Sequence, residues 1–261
     1  MSYHSPKEVA ATFNQIGLYK GNFPVSKFIV LAILGGAFIA IGGLLTVVVV
    51  GGMPGLSAEN PGLVRFIAGA LFPVGLIMVA IAGADLFTSD CAAMTFPYLQ
   101  RQITIAKVLK VLVLSYLFNF LGTQLIAYVF AAKGGVLSVG SLEYLLRYAD
   151  KKVYQDFLTV LIKGIGANWL VCLAVWHGCT AKDLVGKCVG IWIPIMIFVT
   201  LGFEHSIANM FFIPAAIYMG SSITWSDFLL NNLLPATIGN MIGGIVFVAC
   251  AYWYVYMRKT T

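Results

Sequence analysis

Charged residues are scarce in this sequence. Only 10% of its 261 residues are Asp, Glu, Lys or Arg, and 60% are hydrophobic, whereas a soluble domain carries about 25% charged residues. This deficit excludes a soluble enzyme, a disordered chain and a nucleic-acid-binding domain, so no nucleic-acid partner is expected. It predicts a polytopic membrane protein whose apolar side chains face lipid or other helices.

Residue pairs typical of disulfides and metal sites are also missing. The five cysteines form no CxxC pair, and no histidine lies near them at zinc-ligand spacing. A disulfide framework, a metal and a cofactor are therefore not expected. No signal peptide is expected either, because the first apolar run, from about Val25, is too long for the apolar region of one.

The apolar runs predict an all-α membrane protein with six transmembrane helices. Their ranges are roughly 25–50, 63–97, 104–132, 154–180, 187–220 and 227–257, and several exceed the about 20 residues that cross a bilayer. The second span carries Asp85 and the fifth carries Glu204 and His205. A charge near the middle of a span is best explained by a break, so helices 2 and 5 are predicted to be discontinuous.

The basic residues predict the orientation of the chain. The side that holds both termini has twice as many as the other, so both termini are expected in the cytoplasm. Its residues are Lys7, Lys20, Lys27, Arg101, Lys107, Lys110, Lys182, Lys187, Arg258 and Lys259; the other side has Arg65, Lys133, Arg147, Lys151 and Lys152. The predicted parts are a cytoplasmic amphipathic helix (1–24), a channel domain (25–257) and a short cytoplasmic tail (258–261).

The segment before the first span has the pattern of an amphipathic helix. Ser5 and Glu8 fit a capping box, and Pro6 suits the first helical position. Val9 and Phe13 share one face with Ile16. Two roles are open for this helix, a surface anchor and a gating element.

The two halves of the chain resemble each other. FIVLAILGG at 28–36 matches FLTVLIKGI at 157–165, the acidic breaks at 83–88 and 202–209 match, and Asn119 matches Asn240. Three spans per half is an odd number, so the second half must enter the membrane from the opposite side. The sequence thus predicts two inverted three-helix repeats, whose broken helices meet near the midplane as in many transport sites.

His205 and Thr88 are the leading candidates for a pore or substrate site. An ionisable side chain at membrane depth is costly and points to function. His205 lies at the entry of a half-helix whose free N–H groups could bind a small anion; the alternative is a buried histidine bonded to backbone. Thr88 lies in the matching break, where its hydroxyl could donate to an anion or to His205, or cap the helix.

Other polar residues near the breaks have supporting roles in this prediction. Asp85 and Glu204 are expected to orient the loops by accepting hydrogen bonds from loop N–H groups. Lys152 is expected to attract anions. Three roles are open for Lys163, namely attracting anions, snorkelling and pairing with Asp156. Two alternatives are open for Asn168, namely lining the pore and locking helices together. Catalytic residues are not expected, because nothing completes a nucleophile–base set.

Apolar residues near the breaks are candidates for constrictions that exclude hydrated ions. The alternative for each is ordinary packing. They are Phe72, Leu76, Leu86, Phe87 and Phe198.

GADLFTS at 83–89 and GFEHSIANMF at 202–211 resemble the two signature loops of the formate/nitrite transporter family. ANWLVCLAVW at 167–176 and PATIGNMIGG at 235–244 resemble its fourth and sixth helices. The resemblance covers nearly the whole chain and is strongest to formate transporters of the formate dehydrogenase-associated type. One departure is SDCA at 89–92, where the better-known formate channels usually have a less polar stretch.

The resemblance implies an aquaporin-like protomer of six helices that assembles as a homopentamer with one pore per protomer. It implies that Thr88 and His205 form the central hydrogen-bonding pair. The residues named above as apolar candidates fall at the family's constrictions. Lys152 and Asn168 fall at vestibule and pore-facing positions, and Glu204 and Asn209 lie where they orient the histidine.

The function predicted from the resemblance is a channel or transporter for formate and similar small weak-acid anions in the plasma membrane. Its partners are the anion, protons and membrane lipid. Protonation of the anion, by water or by His205, would let the neutral acid cross, giving proton symport; direct anion passage past a cationic His205 is the alternative. A nitrite or hydrosulfide channel of the same family, an integral-membrane enzyme and a structural scaffold are the competing functions.

Overall fold

Six apolar helical segments run through the structure. It is a computed structural model that describes residues 3–258, and within that range six segments are long and apolar enough to cross a membrane. Short half-helices complete the second and fifth of them, so the predicted six-span, broken-helix architecture is confirmed. Of the predicted tail 258–261, only Arg258 belongs to the described residues.

The helices are numbered in chain order. They are α1 (Pro6–Asn22), α2 (Val25–Gly51), α3 (Pro54–Glu59), α4 (Pro61–Leu71), α5 (Val74–Ala82), α6 (Phe87–Ala93), α7 (Thr95–Leu99), α8 (Ile105–Lys133), α9 (Val139–Val153), α10 (Phe157–Thr180), α11 (Leu184–Leu201), α12 (Ser206–Tyr218) and α13 (Trp225–Tyr256).

Glycines end the helices at both predicted breaks. α5 ends before Gly83 and α11 ends before Gly202, and each glycine has a φ of 72°. This left-handed conformation favours glycine because a side chain would meet the following carbonyl. The chain therefore leaves the helix at equivalent points in the two halves, and a new half-helix begins a few residues later.

Side-chain hydrogen bonds correct the register of the predicted repeat. The Asn119 amide donates to the carbonyls of Ala32 and Asp85. Asn240 makes the same two bonds to Gly164 and Glu204. Ala32 therefore corresponds to Gly164, whereas the sequence comparison matched Gly35 with Gly164. Apolar, glycine-rich helices have no local feature that fixes their register, so the match was wrong by three residues.

Glycines also allow the spanning helices to pack closely in both halves. A methyl group on Gly36 of α2 would overlap the backbone of Asn119 in α8. In the second half, Gly164 of α10 and Gly239 of α13 lie against each other in the same way. Close backbone approach through small residues is a common basis of helix association in membranes.

Overpacking costs about 1–3 kcal/mol, and alanine gains about 1 kcal/mol over glycine in helix propensity. We therefore expect Gly36→Ala to destabilise the protein in detergent by up to about 2 kcal/mol. Thermal unfolding measures the effect. Gly55→Ala in α3 is the matched control, because nothing lies within 4 Å of its added methyl. Equal melting temperatures for the two variants would contradict the close-packing argument.

The amphipathic helix α1 packs on the protein itself. Its capping box is present, with the Ser5 backbone N–H donating to Glu8 over 2.7 Å. Phe13 is buried against Phe96 and Trp176 at ring distances of 5.5 and 5.3 Å. The surface-anchor prediction is therefore wrong for this face, because its apolar side chains contact other helices and not lipid. The gating role stays a prediction.

The sequence analysis did not predict the helix α9, which covers the face of the bundle opposite α1. Its buried residues recur at helical spacing, as in Ser141, Leu145, Ala149 and Lys152. The Ser138 side chain caps its first turn by accepting from the Ser141 N–H at 3.2 Å. α9 is too polar to span a membrane, so hydropathy alone does not reveal it.

Candidate functional site

The two half-helices meet at a hydrogen bond between Thr88 and His205. Thr88 lies in the first turn of α6, and His205 is the N-cap of α12. Thr88 Oγ1 is 3.1 Å from His205 Nε2, and both residues are buried. The structure thus brings together the two residues that the sequence singled out, 117 positions apart. Thr88 makes this contact and does not cap its own helix.

The cap of α12 fixes which ring nitrogen of His205 carries the proton. The N–H of Ala208 donates to His205 Nδ1 over 3.0 Å, so Nδ1 must offer a lone pair. In a neutral imidazole the proton then lies on Nε2, which donates to the Thr88 hydroxyl. The hydroxyl hydrogen of Thr88 remains free to donate to a third group. Protonating His205 would place a hydrogen on Nδ1 and break the cap, so the geometry favours a neutral ring.

Backbone and side-chain acceptors occupy the N–H groups at the entry of α12 that were predicted to be free for an anion. The N–H of Ser206 donates to Asn240 Oδ1 at 2.8 Å, and that of Glu204 donates to the Lys163 carbonyl at 3.3 Å. The prediction of an anion site on these N–H groups is therefore wrong. In the other half, the N–H of Phe87 donates to Asn119 Oδ1 at 2.9 Å. Asn119 and Asn240 are functional residues that the sequence comparison matched without assigning them a role.

The Glu204 carboxylate was predicted to accept hydrogen bonds from loop N–H groups. In the structure it accepts them from side chains. Its donors are Lys152 Nζ at 2.9 Å, Asn209 Nδ2 at 2.7 Å, Gln155 Nε2 at 3.1 Å and Asn232 Nδ2 at 3.3 Å. We call these five residues the outer cluster. Side chains from α9, α12 and α13 therefore converge on this one carboxylate, and it ties these helices together.

Lys152 combines a buried position with a full charge. Its ammonium also lies 4.9 Å from the ring centre of Tyr148. Burial alone lowers the pKa of Lys152, but the Glu204 carboxylate and the hydrogen bonds to Glu204 and Tyr148 raise it above its usual value. Lys152 therefore stays protonated, and Glu204 neutralises much of the field with which it was predicted to attract anions.

Asp85 also differs from the prediction. Its carboxylate forms an ion pair with Lys20 of α1 at 3.0 Å, and Lys20 Nζ is 2.5 Å from Asp90. The Asp85 side chain therefore contacts the Lys20 ammonium, where loop N–H groups were predicted. Asp85 thus joins α1 to the break. Sequence pattern could not show this pairing, because it depends on how α1 docks.

Two asparagines have contacts other than those predicted. Asn209 bonds to Glu204 and to Asn232 Oδ1 at 2.7 Å, so its side chain does not orient His205. Asn168 is fully buried, and its amide donates to the carbonyls of Thr88 at 3.0 Å and Asn240 at 2.7 Å. Of the two alternatives for Asn168, the structure favours locking the helices.

Lys163 does not pair with Asp156, the one partner predicted for it. Its ammonium donates to Gln155 Oε1, while Asp156 caps its own helix by accepting from the N–H of Thr159 at 2.9 Å. Gln155 in turn donates to Glu204. Lys163 therefore adds a second positive charge at the edge of the outer cluster.

A cavity of about 450 Å³ leads from the face opposite α1 to His205. Its walls carry many more basic than acidic side chains, and Glu204 is the one acid among them. The basic residues are Arg65, Arg147, Lys151, Lys152 and Lys163. Such a concave positive surface raises the local concentration of anions.

Aromatic rings close the inner end of this cavity. Phe72 and Phe198 pack edge to face at 5.9 Å, and Phe198 lies 5.9 Å from the His205 ring. Leu76 is buried beyond Phe72 on α5. Next to Thr88 in the chain, Leu86 is fully buried and Phe87 packs against Tyr116 at 4.8 Å. Apolar side chains thus flank the pair in both halves.

Two inverted repeats that meet at a buried hydrogen-bonding pair, between a basic cavity and apolar side chains, define a membrane channel or transporter. Within that class the sequence relationship is specific. The model of the family described as "Formate/nitrite transporter" matches residues 7–254. The chain belongs to this family, and the predicted resemblance is confirmed.

Relatives and solved structures agree with this assignment. The chain is 42% identical to the "Probable formate transporter" of Methanothermobacter thermautotrophicus over 99% of both chains. It is 40% identical to the "Formate channel BtFdhC" of Bacillus thuringiensis over 99% of this chain and 98% of the relative. A solved "Pentameric formate channel with formate bound" superposes with a TM-score of 0.79 at 29% identity, covering 90% of this chain and 98% of the other.

Proposed function

We propose that this protein is a formate channel or transporter that passes the anion as its neutral acid. The observation that supports this proposal most directly is the Thr88–His205 pair at 3.1 Å, which lies between a basic cavity and buried apolar side chains. The names of its relatives, a formate transporter and a formate channel, support formate as the substrate. No catalytic step is part of this proposal, so the protein is not an enzyme.

The cavity provides the first step of transport. Arg65, Arg147 and Lys151 on its wall attract a small carboxylate from solution. Glu204 holds Lys152 in place and limits the net charge at the inner end. The anion is therefore concentrated near the pore without being bound too tightly to leave.

The apolar side chains then select against the charged form. An unpaired carboxylate among Phe72, Phe198 and Leu86 is very costly, and loss of hydration favours the protonated acid. Formate entering the narrow part therefore takes up a proton. The proton comes from the outside solution by way of water in the cavity, so no hydroxide is left behind, because a neutral His205 has only its Nε2 proton and shares it with Thr88.

Thr88 and His205 guide the acid between the two apolar regions. With His205 Nε2 as donor, the Thr88 hydroxyl is both an acceptor and a free donor. It can therefore bond to either oxygen of formic acid without any change of charge in the protein. Cationic His205, which direct anion passage requires, would lose the cap to Ala208.

A solved relative supports a proposal for the assembly, and the distribution of basic residues supports one for the orientation. We propose a homopentamer in the plasma membrane, with one pore per protomer, on the model of the solved pentameric relative. Both termini lie in the cytoplasm, in agreement with the excess of basic residues on the face of α1. The lipid and partner protomers cover exposed apolar side chains on the outside of the bundle, such as Leu109, Val113 and Leu117 of α8.

Uptake of formate into proteoliposomes across an imposed pH gradient tests this function. The expected result is uptake that rises as the outside becomes more acidic and that does not depend on membrane voltage. His205→Asn is the informative variant, because asparagine can still cap α12 but does not reach Thr88. It should fold normally and lose most of its formate uptake.

Nitrite and hydrosulfide are measured beside formate in the same vesicles. Uptake of either of them without formate would overturn the substrate and keep the transport function. A voltage-dependent formate current would overturn the neutral-acid route. If His205→Asn transports as well as the wild type, the Thr88–His205 pair is not the site of passage.

A further inference from the structure

The two breaks are built alike but differ in one charge. Asp85 precedes α6 at the position that Glu204 occupies before α12, and Asp90 lies five residues after Asp85 just as Asn209 lies five after Glu204. At each break one lysine from a neighbouring helix pairs directly with the acid, Lys20 with Asp85 and Lys152 with Glu204. We call Lys20, Asp85 and Asp90 the inner cluster.

The outer cluster is balanced in charge. Lys152 pairs with Glu204 at 2.9 Å, and the neutral amide of Asn209 donates to the same carboxylate at 2.7 Å. In the inner cluster, Lys20 Nζ lies 3.0 Å from Asp85 Oδ2 and 2.5 Å from Asp90 Oδ1. One ammonium thus faces two carboxyl groups, where the other half has a carboxylate and an amide.

Each carboxyl group of the inner cluster has one oxygen without a partner. Asp85 Oδ1 and Asp90 Oδ2 are buried and receive no hydrogen bond. The two side chains lie beside each other, because both contact the same ammonium of Lys20. Asn209 supplies the donor at the equivalent place in the outer cluster, but two ionised carboxylates have no hydrogen to share. One proton bound between the two carboxyl groups would supply the hydrogen-bond donor that the inner cluster lacks.

No second cation among the described residues balances the extra carboxylate. On α8, Lys107 reaches α1 but bonds to Asn22 at 2.6 Å. The thiols of Cys91 and Cys172 are the other titratable groups beside Asp90. The helix α7 and the segment Gly243–Cys250 of α13, which also pack here, contain no charged residue.

Lys20 itself retains its charge. Burial lowers the pKa of Lys20, but Asp85 and Asp90 together raise it above its usual value. The proton that neutralises the extra negative charge is therefore held between Asp85 and Asp90, and is not lost from Lys20. Two adjacent carboxylates that share one site generally hold a proton in common, because both cannot be ionised at low cost.

We propose that Asp85 and Asp90 hold one proton between them, which makes the inner cluster a proton-binding site that the other half of the protein lacks. The cluster then contains one cation, one carboxylate and one carboxylic acid, so it is neutral. The site lies where α1 contacts the break, next to Thr88. It is independent of the anion that the protein transports.

Infrared spectroscopy of the full-length protein in liposomes, without formate, tests the proposal directly. The wild type should show a protonated-carboxyl band at neutral pH that shifts in D₂O. Asp90→Asn should lose the band, because its amide supplies the donor as Asn209 does. Asp85→Asn should lose it too, because the remaining acid pairs with Lys20 alone.

Asp183→Asn is the matched control. Asp183 is an exposed N-cap on α11, and asparagine caps equally well, so this variant should keep the band. If the wild type has no band at neutral pH, or if the band persists in both Asp90→Asn and Asp85→Asn, the proposal is overturned. Two independent variants are used so that misfolding of one does not decide the result. Since no transport is measured, failure of the formate proposal leaves this result unaffected.

Discussion

Lys152→Met should destabilise the protein by about 3–5 kcal/mol, the typical cost of removing one partner from a buried ion pair. The substitution keeps the apolar stem and removes the ammonium, which lies 2.9 Å from Glu204. Glu204 is only 2% exposed, so its carboxylate would lose its cation without gaining water. Thermal or denaturant unfolding of the purified protein in detergent measures the effect.

Two further variants separate the ion pair from general damage to α9. Lys151→Met changes the neighbouring exposed lysine, and we expect its stability to stay within about 0.5 kcal/mol of the wild type. Adding Glu204→Gln to Lys152→Met should recover most of the lost stability, because no unpaired charge remains. If Lys152→Met melts like Lys151→Met, the outer cluster does not stabilise the fold through its charges.

The breaks could be predicted from the sequence because their signals are local. Asp85 and Glu204 interrupt long apolar runs, and Gly83 and Gly202 precede them. A charged residue after a glycine has few explanations inside a membrane span. The meeting of Thr88 with His205 follows from the inverted repeat, since an odd number of spans per half makes the two half-helices approach from opposite sides.

The partners of the acidic residues could not be predicted in the same way. Asp85 pairs with Lys20 from a helix 65 residues earlier, and Glu204 pairs with Lys152 from a helix that hydropathy does not reveal. Both pairings depend on how α1 and α9 dock across the ends of the bundle. Docking is set by packing contacts, such as that of Phe13 with Trp176, which leave no periodic signal in the sequence.

The role of the two asparagines could not be predicted from the sequence for a related reason. Asn119 and Asn240 match in the two halves. An asparagine in an apolar helix can line a pore, join two helices by hydrogen bonds, or cap the end of a neighbouring helix. Only the positions of the loop carbonyls and N–H groups distinguish these roles. The structure shows that each amide bonds to three backbone groups at a break.

Asn240→Leu should have the second large effect on stability. The Asn240 side chain donates to Gly164 O at 2.8 Å and Glu204 O at 2.9 Å, and accepts from Ser206 N at 2.8 Å. Leucine leaves the Glu204 carbonyl and the Ser206 N–H without partners, at about 1–3 kcal/mol for each, whereas the Gly164 carbonyl keeps its bond within α10. We therefore expect a loss of more than about 2 kcal/mol, together with loss of formate uptake, because Glu204 and Ser206 flank His205.

The repeat provides a comparison for this result. Asn119→Leu should be destabilising to a similar degree, because Asn119 bonds to Ala32, Asp85 and Phe87 in the same pattern. Asn231→Leu is the control, since Asn231 is exposed on the same helix as Asn240. Melting curves for the three variants decide the matter. If Asn240→Leu is as stable as Asn231→Leu, the glycine and the packing hold the break without the amide, and the asparagines are not what keeps His205 opposite Thr88.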